Sequence, residues 1–186
     1  MVLAPSDERL VKLALTNNKK AWLQLVKRYE GLLYNYGLRM LGNSDDALDL
    51  MQDVYLSVFR SLSSWRQESS FKTWLMTIAH RRCVEQYRKR RDEVSDEGME
   101  EQYSTDVWHH PEQVVARQQK GQRLLQAMQQ LPMEQRVVVE LKFFQHLSHK
   151  EIAEQLEISL NTAKSRFYAA IEKLQTLIEV DDDETT

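Results

Sequence analysis

Apolar residues recur along most of this chain at the three- and four-residue spacings of an α-helix, and no segment shows the strict alternation of a half-buried strand. Residues that interrupt helices are rare, because the 186 residues include only 5 glycines and 3 prolines. The pattern leaves no candidate strands from which a sheet could form. The sequence therefore predicts an all-α fold.

Charge is segregated along the chain, although the total is only −3. Residues 1–91 carry a net charge of +7, residues 92–112 carry −8 without any Lys or Arg, residues 113–178 carry +3, and residues 179–186 carry −5. Basic surfaces attract DNA phosphate, whereas an acidic tether is repelled by it; simple solvation is the alternative account of the tether. We expect two small helical domains joined by a flexible acidic linker and followed by an acidic tail.

Several classes of protein are disfavoured. The first residues lack the cationic start and apolar run of a signal peptide, and no apolar stretch is long enough to span a bilayer, so we expect a cytoplasmic protein without membrane insertion. Cys83 is the only cysteine, and nothing beyond nearby His80 completes a ligand set, so no metal or cofactor is expected. No acid, nucleophile and base occur at a plausible spacing, which argues against an enzyme.

Residues 70–91 begin as an amphipathic helix and end in basic side chains. Phe71, Trp74 and Ile78 share a face that can pack on a core. Arg82 falls on that same face, and because charged residues are rarely buried without a partner, we expect the helix to leave its domain there. Aromatic and basic side chains in series suit a nucleic-acid strand, but a core helix with a solvated end explains the segment taken alone equally well.

Capping and breaking residues place three further helices in the first domain: Ser6 to about Thr16, about Lys20 to Leu41 before Gly42, and Ser44 or Asp45 to about Leu62. The third of these carries an acidic ridge at Asp46, Asp49 and Asp53. Such a ridge can bind a basic protein surface, but acids near a helix start are also favoured by the helix dipole. The residues by themselves leave both explanations open.

Residues 147–174 have the layout of a helix-turn-helix, preceded by helices that begin near Pro111 and Pro132. Ser148 can cap the first helix, and Ser159 can cap the second after a turn at Glu157 and Ile158. The second helix presents polar and basic side chains outward: Asn161, Ser165 and Tyr168, with Lys164 and Arg166 on its shoulders. In this motif that helix enters the major groove, so DNA binding is favoured over a plain helical hairpin.

In this order, the pieces resemble the extracytoplasmic-function group of bacterial sigma-70 factors over almost the whole chain. The run from Asp46 to Phe59, DALDLMQDVYLSVF, is similar to the segment with which the family docks on the clamp helices of the polymerase β′ subunit. The stretch from Trp65 to Ala79 is similar to the loop and helix that melt and recognise the minus-10 element. Residues 147–174 resemble the domain that recognises the minus-35 element.

The resemblance implies a non-enzymatic factor that directs core RNA polymerase to promoters, with residues 1–91 acting as region 2 and residues 113–178 as region 4. The expected contacts to core polymerase are Asp46, Asp49, Leu50, Gln52 and Asp53. The candidates for minus-10 DNA are Trp65, Arg66, Lys72, Trp74, Arg81, Arg82 and Arg88, and Trp65 is preferred to Trp74 for stacking because it lies in a polar loop. The candidates for minus-35 DNA are Asn161, Thr162, Lys164, Ser165, Arg166 and Tyr168.

The partners implied are promoter DNA, the β′ clamp helices and β flap of core RNA polymerase, and an anti-sigma factor. Three departures from the family pattern are expected to change the contacts: Leu48 replaces an acid, Arg81 replaces an Asn, and Ala169 and Ala170 replace a basic pair. The alternative is a helix-turn-helix regulator that binds a palindrome as a dimer, without polymerase.

Overall fold

The computed structural model describes residues 4–97 and 115–183, with side chains for residues 4–91 and 121–178. Two compact units are present, Met1–Gly37 with Asn43–Tyr103 and Leu38–Gly42 with Ser104–Thr186. The described residues contain helices and turns but no strand, which confirms the predicted all-α fold.

The first unit contains α1 (Asp7–Leu15), α2 (Lys19–Leu41) as far as Gly37, α3 (Ser44–Ser61) and α4 (Phe71–Glu97), with a short 3-10 turn at Leu62–Ser64. Ser6 caps α1 as expected, because its side chain accepts a hydrogen bond from the backbone of Arg9. Gly42 ends α2 with a φ of 89°, a conformation that glycine adopts without strain. The cap of α3 is Asn43 rather than Ser44 or Asp45, since the Asn43 Oδ1 accepts from the Asp46 N–H at 2.8 Å.

The core of the first unit lies between its helices and is almost entirely apolar. α2 and α3 approach closely at Gly37, where an added Cβ would lie 2.8 Å from the Cα of Ala47. The fully buried side chains of this core include Leu25, Leu33, Tyr36, Leu50, Val54, Leu75 and Met76. Each such side chain contributes about 1.5–3 kcal/mol through its removal from water, so packing fixes the helices that carry the exposed faces.

The expectation that α4 leaves its domain at Arg82 is wrong. The Arg82 Nε donates to the Ser57 Oγ of α3 at 2.8 Å, and Cys83 beside it is fully buried. Further along α4, Arg90 forms an ion pair with Asp46 of α3. Because α3 offers polar partners, basic residues of α4 can face it without being buried unpaired. α4 therefore stays in contact with α3 for two turns beyond Arg82.

The second unit contains α5 (Val115–Gln129), α6 (Met133–Val139) with a π-helical turn at Glu140–Phe144, α7 (His149–Gln155) and α8 (Leu160–Asp183). Its core joins α5, α6 and α8 through Ala127, Met128, Leu131, Val139, Ala170 and Leu174. The expected start near Pro111 lies outside the described residues, whereas α6 begins directly after Pro132 as expected.

The residues on which the helix-turn-helix prediction was based form its caps, its turn and the contact between its helices. Ser148 and Glu151 form a reciprocal capping box at the start of α7. Glu157, with a φ of 54°, turns the chain, and the Ser159 Oγ accepts from the Thr162 N–H at 3.0 Å at the start of α8. Ile152, Ala153 and Ala163 are buried where α7 meets α8. The small alanines allow this close approach.

No helix in the described ranges is long and apolar enough to cross a membrane. Within the same ranges, no group of three or more His, Cys, Asp or Glu side chains is placed to hold a metal ion.

Candidate protein and nucleic-acid interfaces

The exposed side of α3 combines acids with large apolar side chains. Asp49, Gln52 and Asp53 are exposed, as the sequence predicted. The same helix also exposes Leu48, Leu56 and Phe59, the last with 63% of its surface accessible. We call these six residues the docking face: Leu48, Asp49, Gln52, Asp53, Leu56 and Phe59. Leu56 and Phe59 were missed as site residues, although both lie off the apolar stripe of α3 that faces the core.

The outermost ring of the docking face is supported from α2. Trp22 meets Phe59 edge-on, with ring centroids 5.4 Å apart, and also contacts Tyr55 at 6.3 Å. The Tyr55 hydroxyl donates to the Val26 carbonyl at 2.8 Å. These contacts hold Phe59 out toward solvent as a preformed apolar surface, which is the arrangement expected of a protein-binding anchor.

Two residues predicted to contact polymerase are mostly withdrawn from the surface. Leu50 is buried in the core between the helices. The side chain of Asp46 is only 16% exposed, because it pairs with Arg90 of α4 and accepts from Asn43 at the start of its own helix. In this fold both residues lie behind the exposed side of α3, Leu50 in the core and Asp46 in the ion pair with Arg90.

Of the two tryptophans predicted for minus-10 DNA, the structure exposes Trp74 more than Trp65, which is the reverse of the prediction. Trp65 is only 8% exposed; its ring packs edge-on against Phe71 at 5.4 Å, and its Nε1 donates to the Ser69 carbonyl at 3.2 Å. Trp74 is half-buried, with one side of its ring on Phe71. The expectation that the loop position makes Trp65 the accessible ring is wrong, because the loop folds back over Phe71.

Four residues on α4 form an outward line that we call the α4 stripe: Trp74, Thr77, Arg81 and Arg88. They are spaced by three, four and seven residues, which places them on one side of the helix over about 21 Å. All are exposed except the half-buried Trp74. Arg66 and Lys72 are exposed nearby in sequence, whereas Arg82 is held by Ser57 and by Glu85 at 2.7 Å.

His80 lies on α4 beside the stripe, where it contacts α2. It is largely buried, and burial lowers the pKa of its imidazole below the ordinary value. Its Nδ1 is 3.4 Å from the hydroxyl of Tyr36 on α2. A neutral His80 therefore belongs to the packing that holds the stripe in place.

The outward side of α8 carries most of the residues predicted for minus-35 DNA. Asn161, Lys164, Ser165 and Tyr168 are exposed, and we call these four the recognition face. The other two candidates are engaged within the unit. Thr162 takes part in the cap with Ser159. The Arg166 guanidinium is 2.5 Å from the carboxylate of Glu134 on α6.

An aromatic cluster supports Tyr168, which is 62% exposed. Phe167 lies at its centre, with ring centroids 5.0 Å from His149, 5.5 Å from Tyr168 and 5.7 Å from Phe143. Desolvation, followed by the charges of Lys142 and Lys164, lowers the pKa of His149. The cluster joins the start of α7 to the third turn of α8. Sequence reasoning missed it, because its members are scattered over 26 positions.

Comparison with known proteins identifies the family of this chain. Residues 25–93 match the model of sigma-70 region 2, and residues 121–174 match that of sigma-70 region 4. The chain is 32% identical to RNA polymerase sigma factor YlaC of Bacillus subtilis over 147 residues, which cover 78% of this chain and 85% of the relative. It is 28% identical to the ECF RNA polymerase sigma factor SigW of the same organism over 177 residues, covering 90% and 94%.

Among solved structures, the chain is similar to the sigma factor RpoE in complex with the anti-sigma factor NepR from Bartonella quintana. The TM-score is 0.70 at 27% identity, and the match covers 87% of this chain and 99% of that one. The chain belongs to the extracytoplasmic-function group of the sigma-70 family, which are non-enzymatic factors of transcription initiation.

Proposed function

We propose that this chain binds core RNA polymerase through the docking face, holds the opened minus-10 strand along the α4 stripe, and recognises minus-35 duplex with the recognition face. The observation that carries the proposal is the α4 stripe, in which a partly exposed tryptophan and two exposed arginines lie on one side of a helix. Bases of a single strand can stack on the ring while the arginines neutralise its backbone. Residues 1–91 and 113–178 would then work as two separate reading domains joined by residues 92–112.

The docking face suits the β′ clamp helices because it combines an apolar centre with acidic neighbours. Phe59 and Leu56 supply area that is removed from water on binding, and Asp49, Gln52 and Asp53 supply charge and hydrogen bonds at the rim. Leu48, which stands where the family has an acid, extends the apolar part.

Phe59→Ser tests the docking face. We expect the affinity for core polymerase to fall about tenfold or more, since an exposed anchor of this kind carries at least about 1.4 kcal/mol at an interface. Leu23→Ser is the matched control, because Leu23 is 62% exposed on α2 and lies outside the docking face. Binding is measured by fluorescence anisotropy with labelled full-length protein. An equal loss in both variants would remove the assignment.

For minus-10 DNA we assign Trp74 the stacking role and Arg66, Lys72, Arg81 and Arg88 contacts to phosphate or bases. Trp65 and Arg82 are assigned a supporting role, since Trp65 packs under Phe71 and Arg82 joins α4 to α3. For minus-35 DNA we assign base-edge contacts to Asn161, Lys164, Ser165 and Tyr168, with Thr162 holding the start of α8.

We also infer three features of its setting. Like the RpoE of the solved complex, which is bound to an anti-sigma factor, this chain would be held inactive by an anti-sigma factor. The second unit would contact the β flap of the polymerase. The protein would work in the cytoplasm, where the polymerase and the promoters are.

In vitro transcription tests the proposal as a whole. Purified core polymerase and this chain are incubated with a library of genomic fragments, and the 5′ ends of the transcripts are sequenced. We expect starts that share two elements with a fixed spacing, and no such starts without the chain. Binding to a palindrome by the chain alone, with no effect on polymerase, would refute it.

A further inference from the structure

The start of α8 has little positive charge available for DNA. Between residues 160 and 171 the chain has only two basic residues, Lys164 and Arg166, and Ala169 adds none. Lys164 is exposed. The Arg166 guanidinium instead lies against the carboxylate of Glu134, with its Nη2 2.5 Å from the Glu134 Oε2. Half of the charge on this part of the helix is therefore compensated within the unit.

The two side chains of this ion pair differ in solvent exposure. The Arg166 side chain is 28% exposed and that of Glu134 is 69% exposed, so the carboxylate stands at the surface and covers the guanidinium. Carboxylate and phosphate offer a guanidinium the same kind of charged oxygen acceptor. Glu134 therefore occupies the position on Arg166 that a DNA phosphate would need.

We propose that Glu134 competes with DNA phosphate for Arg166 and so restrains sequence-independent DNA binding by this sigma factor. The inference rests on the proposed minus-35 function of α8. While the pair is closed, the base-edge contacts of Asn161, Ser165 and Tyr168 remain available, but one backbone contact is lost. Because phosphate contacts supply almost all non-specific affinity, the free factor is kept from binding DNA at random.

Glu134→Gln tests the competition, because it removes the charge and keeps the shape of the side chain. Binding of the full-length protein is measured by anisotropy on a minus-35 duplex and on an unrelated duplex, between about 50 and 200 mM salt. We expect tighter binding to both duplexes. One added phosphate contact also steepens the salt dependence by about 0.9, which is a further loss of about threefold in affinity across that range.

Two further variants make the result specific to the pair. Glu154→Gln removes the same charge from an exposed glutamate on α7 that faces Lys150, and it should leave the salt dependence unchanged. Glu134→Gln in an Arg166→Ala background should also fail to steepen it, because the released cation is absent. An ion pair this exposed adds little to stability, so all variants should keep the thermal unfolding midpoint of the parent.

Weaker binding by Glu134→Gln would overturn the inference, because it would mean that Glu134 positions Arg166 for DNA. An unchanged salt dependence would overturn it as well. If the parent does not prefer the minus-35 duplex, the assignment of α8 fails, yet the salt dependence on the unrelated duplex still decides the competition. If the free chain binds too weakly to measure, holoenzyme and a duplex with a minus-35 element alone replace it.

Discussion

α4 and α8 both present an exposed polar side, but they differ in the number of basic residues and in the kinds of side chain along that side. α4 has six basic residues between positions 81 and 91, whereas the start of α8 has two. A cationic helix that carries an aromatic side chain suits single-stranded DNA, whose bases are free to stack on the ring. A helix with Asn, Ser and Tyr along its outward side suits the edges of paired bases in a groove.

The same comparison shows that the basic residues of a sequence overstate the charge that is available to DNA. Arg82 and Arg90 of α4 are engaged by Ser57 and Asp46, and Arg166 of α8 is engaged by Glu134. Arg81 and Arg88 of α4 and Lys164 of α8 are left exposed on the outward sides of their helices. The following predictions separate residues that support a face from residues that contact DNA.

The largest effect is expected from Trp65→Ala. Because Trp65 is buried against Phe71, truncation leaves a cavity and should lower the free energy of unfolding by about 3–5 kcal/mol. Urea denaturation followed by circular dichroism measures the loss. A variant as stable as the parent would return Trp65 to the candidates for DNA stacking.

Trp74→Ala should leave the fold much less affected and impair promoter opening. Losing one base-stacking contact costs about 1–3 kcal/mol, so open complexes should fall by about fivefold or more. Permanganate footprinting of holoenzyme on a promoter measures the opened thymines, and Trp74→Phe should retain part of the signal. Normal opening by the alanine variant would break the assignment of the α4 stripe.

His80 should make the first unit sensitive to acid. Burial holds the folded pKa of His80 below the unfolded value near 6.5, so the unfolded chain binds the proton more readily. The associated stability is present above about pH 6.5 and is lost as the pH falls below it, by at most about 1.4 kcal/mol per pH unit.

Three of the four tryptophans, Trp22, Trp65 and Trp74, belong to this unit, and Trp108→Phe in every variant makes tryptophan fluorescence during urea denaturation report on it alone. His80→Gln should flatten the acid dependence, while His149→Gln, in the second unit, should leave it unchanged. Equal dependence in His80→Gln and the parent would assign the sensitivity to other groups.

The smallest effect separates the two basic residues of α8. Lys164→Ala should weaken minus-35 binding and reduce the salt dependence by about 0.9 if Lys164 contacts phosphate. Arg166→Ala should change both quantities less, because Glu134 already compensates that charge. Anisotropy with a minus-35 duplex measures both. A larger effect of Arg166→Ala would show that the ion pair opens on DNA.

The sequence by itself determined the helical class, the caps at Ser6, Ser148 and Ser159, and the helix-turn-helix. These features depend on interactions within about four residues, such as a side chain that accepts a hydrogen bond from the backbone N–H three residues later. Helical spacing also decides which side chains share a side, so the exposed polar residues Asp49, Gln52 and Asp53 of the docking face and the residues of the recognition face could be named from the sequence, whereas Leu56 and Phe59 were missed.

Only the tertiary structure decided which of those residues are free to bind. The burial of Trp65, the pairing of Asp46 with Arg90 and the pairing of Arg166 with Glu134 each depend on how a loop or a second helix is placed. Partners such as Asp46 and Arg90 lie on different helices, so helical spacing does not bring them together. Whether two such residues come into contact depends on how the helices pack. That packing is decided by all the core contacts together and not by any local sequence pattern.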